Sequence, residues 1–284
     1  MWLILSIFSA FVLGGKRVYE KYLTGIFGNF AMGFIIQAFS VVPTIVLLFV
    51  LPHALEIGTL PWRFWWPLII IWLVLYPIQT YFFYRATREG DISTVVPVMA
   101  LLPVFNVVSS YVVLHEAPSS LGLVGIAAIA FATYLMLWRK KSAGGISKPV
   151  LLMISAVVCI AIGSTLDKVS IGASNPVFYS LMNTLGASIV FFILMHVYNE
   201  KHSFGKMSKF FWQFTFLGVL QALSYTAAMY GFASGPTSYV LAIRAGGYIL
   251  AAIWGLLVLK ESFSFRKGFA FACFVLGVVL LALA

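Results

Sequence analysis

An arginine stands in the middle of an apolar run. Arg244 lies in TSYVLAIRAGGYILAAIWGLLVL, residues 237–259, where hydrocarbon on all sides would make an unpaired charge costly. It reads either as a contact for an anionic or strongly polar group of a ligand, or as a structural side chain. In the second case it pairs with a distant carboxylate or carbonyl, or snorkels to the interface. Gly246 and Gly247 beside it leave room for a close helix or a substrate. Tyr76, Gln79 and Thr80 match Gln221, Ser224 and Tyr225 at a constant offset, and the spacing i, i+3, i+4 puts each set on one helix face. An amide or phenol there needs a partner, which is water or substrate in a cavity, or another helix. Gln37 and Asn183 read as bonds between helices; Asn106 is similar, with no face assigned. The aromatics Trp72, Tyr239, Tyr248 and Trp254 either line an apolar pocket or pack. The substrate-binding candidates are therefore Arg244, Tyr76, Gln79, Gln221, Tyr225, Tyr239 and Trp72.

Other chemistry is missing. His53, His115, His196 and His202 are scattered, without metal-ligand spacing to a carboxylate or cysteine. Cys159 and Cys273 sit inside apolar runs and read as small buried hydrophobes. Neither a phosphate-cradling glycine motif nor a nucleophile elbow occurs, so the reading is not of an enzyme, and it takes no cofactor and no metal. The eight carboxylates fall near span ends. Glu116 and Glu261 read as caps for the helix that follows each, ahead of a coupling or gating role. Transport, if coupled, would use Glu20 or Asp167, which close equivalent spans.

The elements that position these residues follow from composition. The chain is 62% hydrophobic and 9% charged, with mean hydropathy +1.03, a membrane composition. Apolar runs long enough to cross about 30 Å of hydrocarbon recur along its length, and alternating barrel-type segments are absent. The fold class predicted is an all-α polytopic membrane protein with ten spans: 2–18, 29–51, 65–87, 93–114, 121–138, 150–169, 176–198, 210–234, 237–259 and 265–284. The first reads as a retained span, with no charged leader or cleavage site. All but Arg63, Lys168 and Arg244 of the 18 Lys and Arg fall in the connections after odd-numbered spans. That bias makes those connections cytoplasmic and sends both termini outside. The net charge of +10 is spread over short loops, so it speaks for topology and not for nucleic acid.

Residues 81–132 match 226–277 without gaps, at an offset of 145 positions (Tyr81 to Thr226). Gly90 meets Gly235, Ser93 meets Ser238, Glu116 meets Glu261 and Ser119 meets Ser264. Upstream, Glu20-Lys21 recurs as Asp167-Lys168. The chain thus divides into a first five-helix repeat, 1–138, a basic cytoplasmic linker, 139–149, and a second five-helix repeat, 150–284. An odd number of crossings inverts the second relative to the first. Inverted repeats belong to secondary transporters, with the substrate site near the midplane between halves.

GDISTVVPVMALLPVFNVVSSYVVLHEAPSSLGLVGIAAIAFATYLM, from Gly90, resembles the EamA repeat of the drug/metabolite transporter superfamily. It has a small-residue break, an apolar helix with proline, a terminal Glu and a Gly-containing last helix. SGPTSYVLAIRAGGYILAAIWGLLVLKESFSFRKGFAFACFVLGVVLLAL, from Ser234, fits the same outline. The resemblance covers nearly the whole chain. It implies two inverted five-helix halves, a cavity lined largely by spans 1, 3, 4, 6, 8 and 9, and movement of small metabolites, commonly export. Many relatives carry basic residues after span 2 and keep their termini inside, whereas the charges here place them outside; the direction of transport turns on that difference. Together these readings predict a cell-membrane carrier of a small polar or amphipathic metabolite, amino-acid-like and bearing an anionic group. A translocator for a lipid-linked phosphate sugar is the alternative, and a non-transporting receptor or assembly factor the third reading. The partners are a small-molecule substrate and the lipid bilayer, not nucleic acid, and the carrier is read as a monomer.

Overall fold

The computed structural model describes residues 1–24, 27–51, 58–90, 96–137, 147–200, 208–247 and 265–284, and every regular element among them is helical. Helix α1 runs Trp2–Thr24 and α2 Asn29–Val50. Helix α3 is a continuous rod made of Trp62–Ile70, a π turn at Ile71–Leu75, and Tyr76–Glu89. A 3-10 segment, Val96–Leu101, leads into α4, Leu102–Leu114. Then come α5 (Ser120–Leu137), α6 (Lys148–Ile171), α7 (Pro176–Val197) and α8 (Phe211–Ser234). Helix α9 occupies 237–247 among the described residues, and α10 is Phe265–Leu283.

Local chemistry sets the ends. Asn175 caps α7, its side chain accepting from Phe178 N at 2.8 Å, with Pro176 pre-set for the first turn. His115 closes α4 in the left-handed region, φ 56°. The amides of His115 and Glu116 return to the carbonyls of Tyr111 and Ser110, satisfying groups the helix end leaves over. That turn fixes where the Glu116 side chain starts.

Among the described residues, five helices are long and apolar enough to cross a membrane: Phe30–Val50, Trp62–Phe83, Lys148–Ile171, Pro176–Val197 and Ser208–Ser234. Val98–Leu114, Ser120–Leu135 and Gly268–Leu283 are shorter apolar helices. The surface agrees, since Phe49, Leu73, Val112 and Trp212 are all at least 66% exposed. A belt of that kind is an aggregation hazard in water and ordinary against lipid. The chain is a multi-pass membrane protein.

The most extensive helix contacts pair α5 with α10, α2 with α7, α1 with α8, α2 with α8 and α3 with α6. The largest core gathers Phe64, Met153, Tyr179, Phe232 and Leu241, joining α3, α6, α7, α8 and α9. Between α5 and α10 a Cβ added at Gly277 would stand 2.9 Å from the Gly125 carbonyl, so these two helices touch backbone to backbone. Trp2 packs on Tyr239 with ring centroids 5.8 Å apart, and Ser170 Oγ donates to the Phe64 carbonyl at 2.9 Å. The starts of α1, α3 and α9 therefore share one end of the bundle with the end of α6. At the opposite end Glu89 pairs with Arg85 and with Lys148 Nζ at 3.4 Å, tying the last turn of α3 to the first of α6. The Arg85 hydrogen bond holds the exposed Glu89 carboxyl below the usual carboxylate range.

Several boundaries differ from the sequence expectation. Helix α1 runs on past residue 18 to Thr24, and Lys16, counted above with the basic residues of the first connection, is 5% exposed within the helix. It stays inside because α8 supplies an acceptor for its ammonium group. Helix α3 begins before residue 65 and ends after 87. Span 4 opens as 3-10 helix over Val96–Leu101, where Pro97 and Pro103 remove amide donors that a full α turn needs. Tyr248, Trp254 and Glu261 lie outside the described residues, as does most of the proposed linker.

Candidate functional site

Asn183, on α7 and 1% exposed, is the meeting point of three helices. Its Oδ1 accepts from Trp72 Nε1 at 2.9 Å. Its Nδ2 donates to the Tyr76 hydroxyl at 2.8 Å and to the Tyr225 hydroxyl. Trp72 and Tyr76 are four residues apart and share a face of α3, and Trp72 lies within the π turn. Room for the indole comes from α7, because a Cβ at Gly186 would overlap the Trp72 ring. Tyr76 is stacked on Phe191, centroids 5.9 Å apart. Asn183 thus reads all its close donors and acceptors from aromatic side chains, a rigid arrangement inside an apolar bundle.

Charge gathers beside this knot. Asp167 lies four residues inside the end of α6 and is 8% exposed; its Oδ1 accepts from the hydroxyl of fully buried Tyr179. Tyr76 from α3 and Tyr225 from α8 lie within range of that carboxylate's charge, and the carboxylate lies within range of Arg244 from α9. The expected position near a span end is correct for Asp167, yet the side chain is enclosed rather than interfacial. Deeper along α8, Gln221 Oε1 accepts from Lys16 Nζ of α1 at 2.7 Å. Polar groups therefore form a column through the bundle: Asp167 and Tyr179, then Asn183 with Tyr225 and Tyr76, then Gln221 and Lys16.

Of the residues singled out from sequence, Trp72, Tyr76 and Tyr225 meet at Asn183, Asp167 lies within charge range of Tyr76, Tyr225 and Arg244, and Gln221 stands one turn from Tyr225. Gln79 is half-buried and takes no part. Tyr239 belongs elsewhere: its hydroxyl accepts from Ser119 N at 3.1 Å and its ring fills the space above Gly122, so it seals α9 against α5. Glu116 does cap a helix, but not the one that follows it. Its Oε2 accepts from Thr237 N and Oγ1, both at 3.1 Å, and so caps α9 across the bundle; it also pairs with Lys168. The turn at His115 aims it there. The Glu20 side chain and Glu261 lie outside the described residues. Three members of the column were not among the candidates. By type Asn183 predicts a bond between helices, which it makes, but nothing in its spacing predicts that the partners are two candidate phenols. Lys16 counts by sequence among the basic residues of the first connection, and Tyr179 carries no signal in a chain with this many aromatics. No metal-holding group of three acidic, His or Cys residues occurs among the described residues.

Toward lipid, α2 and α8 leave an apolar groove of about 660 Å³ lined by Phe39, Pro43, Val46 and Val219. It shares Leu47 and Leu223 with a second hollow of about 600 Å³ that reaches Pro176 and Tyr230.

Residues 147–283 match the EamA-like transporter family. That stretch of the chain is similar to the family. The EamA-like segment holds Asp167, Tyr179, Asn183, Gln221, Tyr225 and Arg244, so most of the column falls within the matched residues. The family is one of membrane transporters of the drug/metabolite transporter superfamily. No curated protein matches the chain in sequence. A solved crystal structure, described only as that of a protein, is similar to this EamA-like chain with a TM-score of 0.79 and 14% identity; the match covers 99% of this chain and 97% of that one. At that identity the likeness is one of fold.

Proposed function

We propose that this transporter is a secondary carrier of ten spans in two inverted five-helix repeats. It moves a small polar or amphipathic metabolite, amino-acid-like and bearing an anionic group, by alternating access. The carrying observation is that α6 and α9 place an acid and an arginine, Asp167 and Arg244, inside one apolar bundle, Asp167 enclosed and bonded to Tyr179 and within range of the Arg244 charge. Phenols and an asparagine amide surround them. Intramembrane ionisable groups are expensive, and their normal use is to meet a polar solute on its path. Arg244 takes the anionic group with its planar fork, Asp167 takes a cationic or donor group, and Trp72, Tyr76 and Tyr225 hold the apolar part.

Helix pairing supports the inversion. By the sequence repeat, α2 corresponds to α7 and α5 to α10, and each of these packs on its own counterpart. The α1–α8 pair likewise corresponds to α6–α3, also present. A pseudo-two-fold axis in the membrane plane has these pairings as its consequence. With basic connections cytoplasmic, both termini lie outside, and the repeats are 1–138 and 150–284 about a linker at 139–149.

Counterflow in proteoliposomes tests the reading: vesicles preloaded with an unlabelled candidate are diluted into trace label. Labelled amino acids accumulate transiently in vesicles holding the wild-type chain, and Arg244→Ala abolishes the overshoot. A panel of amino acids, organic anions and sugars giving no flux rejects it. The lateral groove between α2 and α8 favours a second reading, translocation of a lipid-linked phosphate sugar, whose tail would lie there while its head group crossed at Arg244. Flux of such a lipid without flux of any soluble solute selects that reading instead.

A further inference from the structure

We infer that Glu116 and Lys168 form an ionic latch that closes one end of the substrate path and must part for that end to open. This rests on the carrier reading and adds a moving part to it. Glu116 is the first charged residue after α4, in the first half of the chain. Every group it holds is in the second half: the Lys168 ammonium at the end of α6, and Thr237 N and Oγ1 at the start of α9, each at 3.1 Å. Lys168 Nζ donates in turn to the Gly235 carbonyl at 2.6 Å, closing a ring across the α8–α9 connection. One carboxylate therefore joins three helix ends.

The two helices it clamps are the ones that carry the interior charges. Asp167 precedes Lys168 on α6, and Arg244 is two turns into α9 from Thr237. A solute entering between Asp167 and Arg244 from this end must separate α6 from α9, and the Glu116 carboxylate is what bridges them. Breaking the bridge leaves solvent-reachable partners: Glu116 and Lys168 side chains are 21% and 22% exposed. Water can therefore replace each bond, which a fully buried pair would not allow. The bridge is strong enough to hold and weak enough to exchange. The sequence repeats its polar members at Lys21, Gly90 and Glu261, residue types that a purely local cap would not need to duplicate together.

The test uses no substrate, so it stands apart from the flux assay. In a chain with Cys159 and Cys273 replaced by Ala, a single reporter is placed as Ser164→Cys. Ser164 is 8% exposed and one turn below Lys168 on the same face of α6. Sealed vesicles of each orientation receive a membrane-impermeant maleimide on one side at a time. With the latch intact, labelling from the latch end is slow. Glu116→Gln and Lys168→Met each speed it about tenfold, and Thr237→Val by less, in proportion to the charge-assisted bonds removed. Lys21→Met leaves labelling from this end unaccelerated. A control, Ala156→Cys, sits in the core at 0% exposure and stays unlabelled throughout. Unchanged or slower reporter labelling in the Glu116 and Lys168 variants overturns the latch. So does parallel labelling of the Ala156 control, which would make the pair a fold-wide support.

Discussion

Asn183 carries more of the site than any other uncharged side chain, because its single amide is shared by Trp72, Tyr76 and Tyr225. Replacing it with Ala leaves an indole N–H and two phenols without that partner in a dry interior. The expected cost is about 1–2 kcal/mol, read as a lower midpoint in a thermal unfolding series. Asn183→Asp brings a second carboxylate close to Asp167 and costs more than the Ala change. At Arg244 the two surviving roles separate by chemistry. Lys keeps the charge but loses the planar fork, so Arg244→Lys lowers counterflow modestly and Arg244→Ala by more than about tenfold. Equal stability loss in both variants with flux preserved would make Arg244 a purely structural partner of Asp167. The residue types at the site were legible before any fold was known, since an arginine or an amide inside hydrocarbon announces itself. What decides between ligand contact and helix bond is which side chains arrive from other helices. Asn183 and Gln37 look alike in sequence, and only Asn183 meets two phenols and an indole.

Among the helices, α7 and α3 depend on one small residue. A methyl group at Gly186 would overlap the Trp72 ring, so Gly186→Ala forces the indole off its bond to Asn183. Overpacking of this kind costs about 1–3 kcal/mol, and the Trp72→Phe background should recover part of it. If Gly186→Ala and Gly186→Ala/Trp72→Phe unfold alike, the two residues are not in conflict. The α5–α10 contact rests on the same principle of close approach, at Gly125 and Gly277. Helix existence was readable from apolar runs, and most boundaries fell within a few residues. The start of span 4 differs for a local reason, being tightened by Pro97 and Pro103, while Lys16 is held inside the bundle by the Gln221 acceptor. The partner of Glu116 was not legible, because a cap donated across the bundle leaves no trace in the spacing of neighbouring residues.

Taken as one body, the chain brings its start to the same end of the bundle as the latch, and the basic pairs Arg85–Glu89 and Lys148–Glu89 to the other. Single cysteines read out which end faces the cell exterior. Gly58 has φ 62° with no neighbour within 4 Å, so Gly58→Cys costs about 1 kcal/mol of backbone strain and no clash. An impermeant reagent on intact cells should label Gly58→Cys and spare Ser142→Cys; labelling at Ser142 alone reverses the orientation. One last consequence belongs to the π turn at Ile71–Leu75. Such a turn holds one residue more than the α-helix around it, and α8, the counterpart of α3, runs through as plain α-helix. Counting backward through the two halves, the first must fall one residue behind the second on passing that turn. The ungapped match beginning at Tyr81 starts just past it, and the step from Glu20 to Asp167, 167 − 20 = 147, exceeds that from Tyr81 to Thr226, 226 − 81 = 145, by two, one of which the turn supplies. Deleting a single residue from Ile71–Leu75 should therefore straighten the rod, bring the halves a step closer to equal length, and swing the Trp62 end of α3 by about 100° relative to Tyr76.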